Sequence, residues 1–211
     1  LKSAQAAIQA NTAGTGGALT GFGTGSGSLS VNGEIRVGAG SWWDHATGVL
    51  NINTSGTVQA NGSLVAGNNV GDVGTVNIDA GTVMISGDYT NSGQFGHGDS
   101  AATGNLKISG GSISFNNRLA LGVGNGSGAG GNVGTLTLSG GTLTTDAAHD
   151  EDWHAGVNLE SGYDTATGGT ATVNLNGGTL STLRVFSETG GTGIKGTSTF
   201  NFNGGTLKAQ A

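Results

Sequence analysis

The densest run of ionisable side chains in the chain is Asp146-Ala-Ala-His149-Asp150-Glu151-Asp152-Trp153-His154. Carboxylates and imidazoles at this density are the material of a metal site, and the hard oxygen donors of Asp150 and Asp152 favour calcium. Their spacing fits no calcium-loop consensus, so a solvated loop inserted into a repeat is the competing reading. Asp44-His45 and His149-Asp150 each set an acid beside an imidazole, the pairing used in general acid–base chemistry. Aromatic residues make up only 5% of the chain, which makes Trp42, Trp43 and Trp153 informative. If their two loops leave the same side of the molecule, the indoles form a flat platform for sugar rings, since Trp joins an apolar face to a polar edge. The alternative is that they fold over apolar side chains and cover them.

Two glycine-rich motifs carry less. Gly96-His97-Gly98-Asp99 occurs once, whereas glycine–aspartate calcium loops need tandem copies, so it reads as a turn. Gly126, Gly128 and Gly131 satisfy G-x-G-x-x-G, but no helix follows to hold a phosphate at its N-terminus.

The elements that must position these residues are written in a repeat. A glycine follows an Asn, Asp or Ser corner at Gly56, Gly81, Gly111, Gly141, Gly178 and Gly205, at spacings of 25, 30, 30, 37 and 27 residues, with a degraded unit around Gly27. Before each anchor stands an alternating apolar pair: Leu50/Ile52, Val76/Ile78, Leu106/Ile108, Leu136/Leu138, Val173/Leu175 and Phe200/Phe202. After it runs a second alternation: Val58/Ala60, Val83/Ile85, Ile113/Phe115, Leu143/Thr145, Leu180/Thr182 and Leu207/Ala209. Period two is the periodicity of strands with one buried face. A looser third strand carries Leu64/Ala66, Leu119/Leu121/Val123 and Leu183/Val185.

The corner column Asn53, Asp79, Ser109, Ser139, Asn176 and Asn203 consists of residues that bond their own backbone, next to glycines that reach positive φ. The residue after each anchor is a hydroxyl: Thr57, Thr82, Ser112, Thr142, Thr179 and Thr206. One such column resembles part of an ice-binding face, but the second column two places on is Gln59, Met84, Ser114, Thr144, Ser181 and Lys208. That mismatch favours a structural ladder of β-branched and hydroxyl residues.

A single unit of about thirty residues cannot offset its own ordering entropy with some six apolar side chains. The units must therefore stack, each strand bonding to its equivalent in the next coil. The expected fold is all-β: a parallel β-helix, or β-solenoid, with about three short strands per coil and six to seven coils. Right-handed winding is the usual outcome for parallel crossovers. Length variation is expected after the third strand, as loops leaving one side of the stack.

Composition bounds the function class. The chain has 211 residues with 45 glycines, no proline, no cysteine and 9% charged residues. Glycine without proline or a triplet period argues against collagen, and the alternating apolar pattern argues against disorder. A net charge of −6 without a basic patch argues against a nucleic-acid partner. No apolar run reaches the length of a membrane span. Polysaccharide-cleaving β-helices place carboxylates beside Arg or Lys on a strand face, whereas Lys2, Arg36, Lys107, Arg118, Arg184, Lys195 and Lys208 are scattered along this chain. No catalytic residue is assigned, and the chain is not read as an enzyme.

Residues 1–26 read as an N-terminal segment and candidate cap, with a short helix over Ser3–Gln9 on Ala and Gln propensity; residues 27–211 read as the repeat domain. Leu1-Lys2-Ser3-Ala4-Gln5-Ala6 resembles Leu207-Lys208-Ala209-Gln210-Ala211. A window cut from a longer array, or a subunit joining its neighbour end to end, would account for the match. Phe200–Ala209 reads as an uncovered strand pair, a sticky edge.

The phrases Gly134-Thr-Leu-Thr-Leu-Ser-Gly-Gly-Thr-Leu and Phe200-Asn-Phe-Asn-Gly-Gly-Thr-Leu-Lys-Ala resemble the bacterial autotransporter-associated β-strand repeats and related repeats of large secreted proteins from Planctomycetes and Verrucomicrobia. The resemblance covers roughly residues 27 to 211. It implies an exported, extracellular or cell-surface β-helix of the stalk, adhesin or matrix kind. The leading expectation is a structural module, self-associating through its end coils as a fibre or surface-layer element, with no cofactor. Alternatives are a carbohydrate-binding adhesin using Trp42, Trp43, Trp153 and calcium at Asp150 and Asp152, and a polysaccharide-degrading enzyme.

Overall fold

Alternating apolar pairs separated by glycine corners leave the backbone one way to satisfy its hydrogen bonds, which is pairing with the same segment of the next unit. The computed structural model shows that arrangement, a parallel β-solenoid. It describes residues 8–10, 12–13, 17–25, 27–40, 45–87, 92–98, 101–124, 130–146, 155–159, 161–162, 165–187 and 192–210.

The chain first lays down β1 (Ile8–Ala10), β2 (Thr12–Ala13), β3 (Gly17–Gly25), β4 (Leu29–Val31) and β5 (Ile35–Val37). Five coils follow. The first two are β6 (Ala46–Ala60) with β7 (Leu64–Ala66), and β8 (Val73–Ile85) with β9 (Gly93–Phe95). The next two divide their long strand at the corner: β10 (Thr103–Ile108), β11 (Ser112–Phe115) and β12 (Arg118–Leu121), then β13 (Val133–Leu138), β14 (Thr142–Thr145) and β15 (Gly156–Leu159). The fifth is β16 (Thr170–Thr182) with β17 (Val185–Phe186), and β18 (Thr197–Ala209) lies on β16.

Three walls result. The first and second share one sheet, bent at the anchor glycines, while β1, β5, β7, β9, β12, β15 and β17 form a separate seven-stranded third wall. Register keeps like above like. Leu50, Val76, Leu106, Leu136, Val173 and Phe200 form one column, and Val58, Val83, Ile113, Leu143, Leu180 and Leu207 another. Up to β16 these side chains are buried. The column of Ala60, Ile85 and Phe115 turns polar at Thr145 and Thr182, whose hydroxyls bond each other at 2.8 Å inside the rod.

The corners differ from expectation in one respect. The turn residues bond across coils: Ser109 Oγ donates to Asp79 Oδ1 at 2.5 Å, and Asn203 Nδ2 donates to Asn176 Oδ1 at 2.9 Å. Amide ladders of the same kind join Asn77 to Asn51 at 2.7 Å and Asn201 to Asn174 at 2.9 Å on the outer face of the first wall. A double-mutant cycle on Asn174→Ala and Asn201→Ala is expected to give a coupling of about 0.5–1 kcal/mol in urea unfolding. A coupling of zero would reduce this ladder to coincidental proximity.

Three expectations are corrected. Ile8 and Gln9 belong to β1, which pairs in parallel with β5, so the helix expected over Ser3–Gln9 does not include its last two residues; residues 1–7 lie outside the described residues. The ladder does not begin at residue 27 either, because β3 already pairs with β6 in parallel. The degraded unit is real, with Gly27 standing against Gly56 and Ser28 Oγ accepting the Thr57 amide at 3.1 Å. Finally, length varies at two corners. Residues 146–155 are inserted between second and third walls, where the preceding coil has only Asn116 and Asn117, while residues 38–45 connect the third wall to the first.

Candidate functional site

Trp42, Trp43, Asp44, Asp99, Gly126, Gly128, His149, Asp150, Glu151, Asp152, Trp153 and His154 all lie outside the described residues. Their attachment points are nevertheless defined. The segment carrying Trp42 and Trp43 joins β5 to β6, and the one carrying Trp153 joins β14 to β15. The two are therefore rooted at different corners, not at corresponding ones. His45 is exposed, with its Nδ1 against the Val70 carbonyl. Among the described residues no group of three or more His, Asp or Glu side chains converges as a metal-holding set. Gly131 is followed by strand β13, not by a phosphate-binding helix.

The predicted ladder is a physical row. Thr57, Thr82, Ser112, Thr142, Thr179 and Thr206 are register partners on the second wall, and Gln59, Met84, Ser114, Thr144, Ser181 and Lys208 form the row beside them. The corner column Asn53, Asp79, Ser109, Ser139, Asn176 and Asn203 runs along the neighbouring edge, exposed in every coil.

Sequence reasoning missed the outer face of the third wall. Strands β7, β9, β12 and β15 are buried on both faces, unlike the alternating strands of the other walls. Residues pointing away from the core here include Gln94, Arg118 and Asn158, each under a tenth exposed. Buried polar groups must be hydrogen-bonded. Asn158 accepts from the Ser161 hydroxyl, and Arg184 Nε donates to the Ala155 carbonyl at 3.0 Å while its guanidinium lies 5.0 Å from the Phe186 ring centre. Arg36, which bonds Glu34 at 3.1 Å, is on the same wall. Three arginines scattered in the sequence, Arg36, Arg118 and Arg184, thus lie along one wall, while Lys107 and Lys208 stand on the other two. Near them His97 is buried, and its pKa is lowered to about 3 by loss of solvent and by the Arg118 charge.

Connections from third to first wall are fastened by buried side chains. Asp72 accepts the amides of Gly40 and Asn69 at Oδ2, both 2.9 Å, and of Ala46 at Oδ1, 2.8 Å. Two coils on, Asn132 holds the corresponding place, accepting from Ala102 N at 3.0 Å and donating to the carbonyls of Gly98 at 2.8 Å and Val123 at 3.0 Å. Each sits one residue before a first-wall strand. These are structural clamps, with every oxygen and amide used.

A shallow groove of ≈290 Å³ runs along the outer face of the first wall, lined by Asn51, Asn77, Asp79, Lys107, Ile108, Ser109, Thr137 and Ser139. Asn51, Asn77, Lys107 and Thr137 are successive members of one register row, so the groove spans four coils. No family model matches the sequence, and comparison with curated proteins and with solved structures finds no significant similarity.

Proposed function

We propose that the chain is a structural β-solenoid module of an exported, cell-surface or extracellular protein, serving as a stiff rod that extends end to end through its coils. The observation that carries this reading is β18. Its residues continue the core columns of the first and second walls in register with β16, yet Phe202 is 57% and Leu207 46% exposed, where their partners Leu175 and Leu180 are fully buried. A strand edge with apolar side chains standing beside it is a template for another strand. The occupant that fits is another coil of the same pattern, because the coils of this chain repeat the same pleat, the same apolar columns and the same amide and hydroxyl ladders. The low charge density and the likeness of the repeat phrase to autotransporter-associated and secreted bacterial repeats support the surface location.

Association of purified chain, followed by analytical ultracentrifugation and electron microscopy, tests this. Rods whose lengths are multiples of one subunit are expected, with association weakened at least about a hundredfold by Phe202→Lys combined with Leu207→Lys, which place charges in the contact. Strictly monomeric particles near millimolar concentration, or assembly indifferent to the double substitution, would overturn it.

A further inference from the structure

We infer that the groove on the first wall is a binding site for a neutral, unbranched polysaccharide lying along the rod axis. This rests on the groove itself and does not require the rods to join end to end.

In the row that forms the groove floor, Asn77 bonds to Asn51, and at the far end Asn201 bonds to Asn174. Between these pairs the ladder is interrupted by Lys107 and Thr137, which do not continue the amide pairing. The interruption coincides with the concavity. At its edge Asp79 uses Oδ1 for the Ser109 hydroxyl, and Ser139 Oγ reaches the Ile108 carbonyl at 3.3 Å. The second Asp79 oxygen at the corner, and the Asn77 carbonyl oxygen, Asn51 amide protons, Thr137 hydroxyl and Lys107 ammonium along the row, are left as donors and acceptors in the groove.

The chemistry of the lining selects the ligand class. Ile108 is a core residue with its side chain buried, so the carbon surface that the groove exposes belongs to backbone and to polar side chains, a mixed lining that suits the alternating C–H and O–H faces of a sugar. It holds one cation and one anion, Lys107 and Asp79, so it offers no net attraction to a polyanion such as nucleic acid. Amides, hydroxyls, a lysine and a carboxylate are all partners for vicinal hydroxyl groups, which both donate and accept. Spread over four coils about 4.8 Å apart, these groups line a groove longer than one sugar ring, which a linear glycan fills and a single sugar does not.

The test is isothermal titration of the folded chain with neutral β-linked hexasaccharides of glucose, xylose, mannose and N-acetylglucosamine. At least one should bind with a dissociation constant of about a millimolar or tighter, and the matching disaccharide at least about tenfold more weakly. Lys107→Ala and Asn77→Ala, both at solvent-facing positions, should each weaken binding about fivefold while the melting temperature stays within a few degrees. Absence of binding by all four hexasaccharides at about 10 mM would sink the proposal. So would binding that both groove substitutions leave unchanged, or binding removed only by Trp42→Ala or Trp153→Ala.

Discussion

Replacing Gly67 by alanine is expected to abolish cooperative folding of the rod, whereas Gly33→Ala leaves it at least as stable as the parent. Gly67 follows β7 at the corner from third to first wall and has φ of +64°, a conformation that costs an L-residue roughly 1–2 kcal/mol. The larger effect is spatial. A Cβ there would be driven into the carbonyl of Thr103, which belongs to the backbone of a first-wall strand and cannot rotate away. Relief requires the coils to separate locally, and register couples each coil to its neighbours, so the loss spreads. A penalty above about 4 kcal/mol is expected, in the class of severe backbone conflicts. Gly33 has no atom within 4 Å of a built Cβ and no positive φ, so alanine there restricts mainly the unfolded chain and adds about 0.4–1 kcal/mol. Thermal melts followed by circular dichroism decide it: a Gly67→Ala rod melting within a few degrees of the parent would show that this corner tolerates a side chain.

That glycine also marks where the sequence stops being legible. The anchor glycines announce themselves because each is flanked by long alternating strands, so Gly56, Gly81, Gly111, Gly141, Gly178 and Gly205 were identifiable, and all but Gly56 take positive φ. Gly38, Gly67, Gly96 and Gly122 form an equivalent column after the third wall, but each follows a strand of only three or four residues. Gly93–Phe95 and Gly156–Leu159 are too short to display a period, and being buried on both faces they would not alternate in any case. Their identity comes from the strands above and below. The Ser3–Gln9 helix illustrates the same limit, since propensity favoured it and pairing of Ile8–Ala10 with Ile35–Val37 prevailed at its end.

The candidate sites followed suit. Tryptophans and carboxylates draw attention by type, and they fall on the inserted segments, where repeat logic cannot say which corner a segment leaves. The groove residues Asn51, Asn77, Lys107 and Thr137 are unremarkable as types and lie 26, 30 and 30 residues apart. Only register assembles them. A signal was present in retrospect, because Lys107 and Thr137 interrupt a row that is asparagine at Asn51, Asn77, Asn174 and Asn201.

Lowering the pH is expected to weaken this rod through His97, by about 2 kcal/mol more at pH 5 than at pH 8 when compared with His97→Gln. His97 is 7% exposed, and in the folded chain its pKa is lowered to about 3, first by burial and then by the Arg118 guanidinium. In the unfolded chain the imidazole titrates near 6.5. Between these values only the unfolded state takes up the proton, so stability is complete above pH 6.5 and declines as pH falls towards 3, at up to about 1.4 kcal/mol per pH unit. Carboxylates titrate in the lower part of this window as well, which is why the reading is the difference in slope between parent and variant. Glutamine keeps a polar side chain in the cavity without a titrating proton, and any constant packing cost cancels from the slope. Urea unfolding at half-unit steps from pH 8 to pH 4.5 measures it. Parallel curves would mean that His97 accepts a proton inside the fold, and that the polar layer over the third wall is open enough to solvate it.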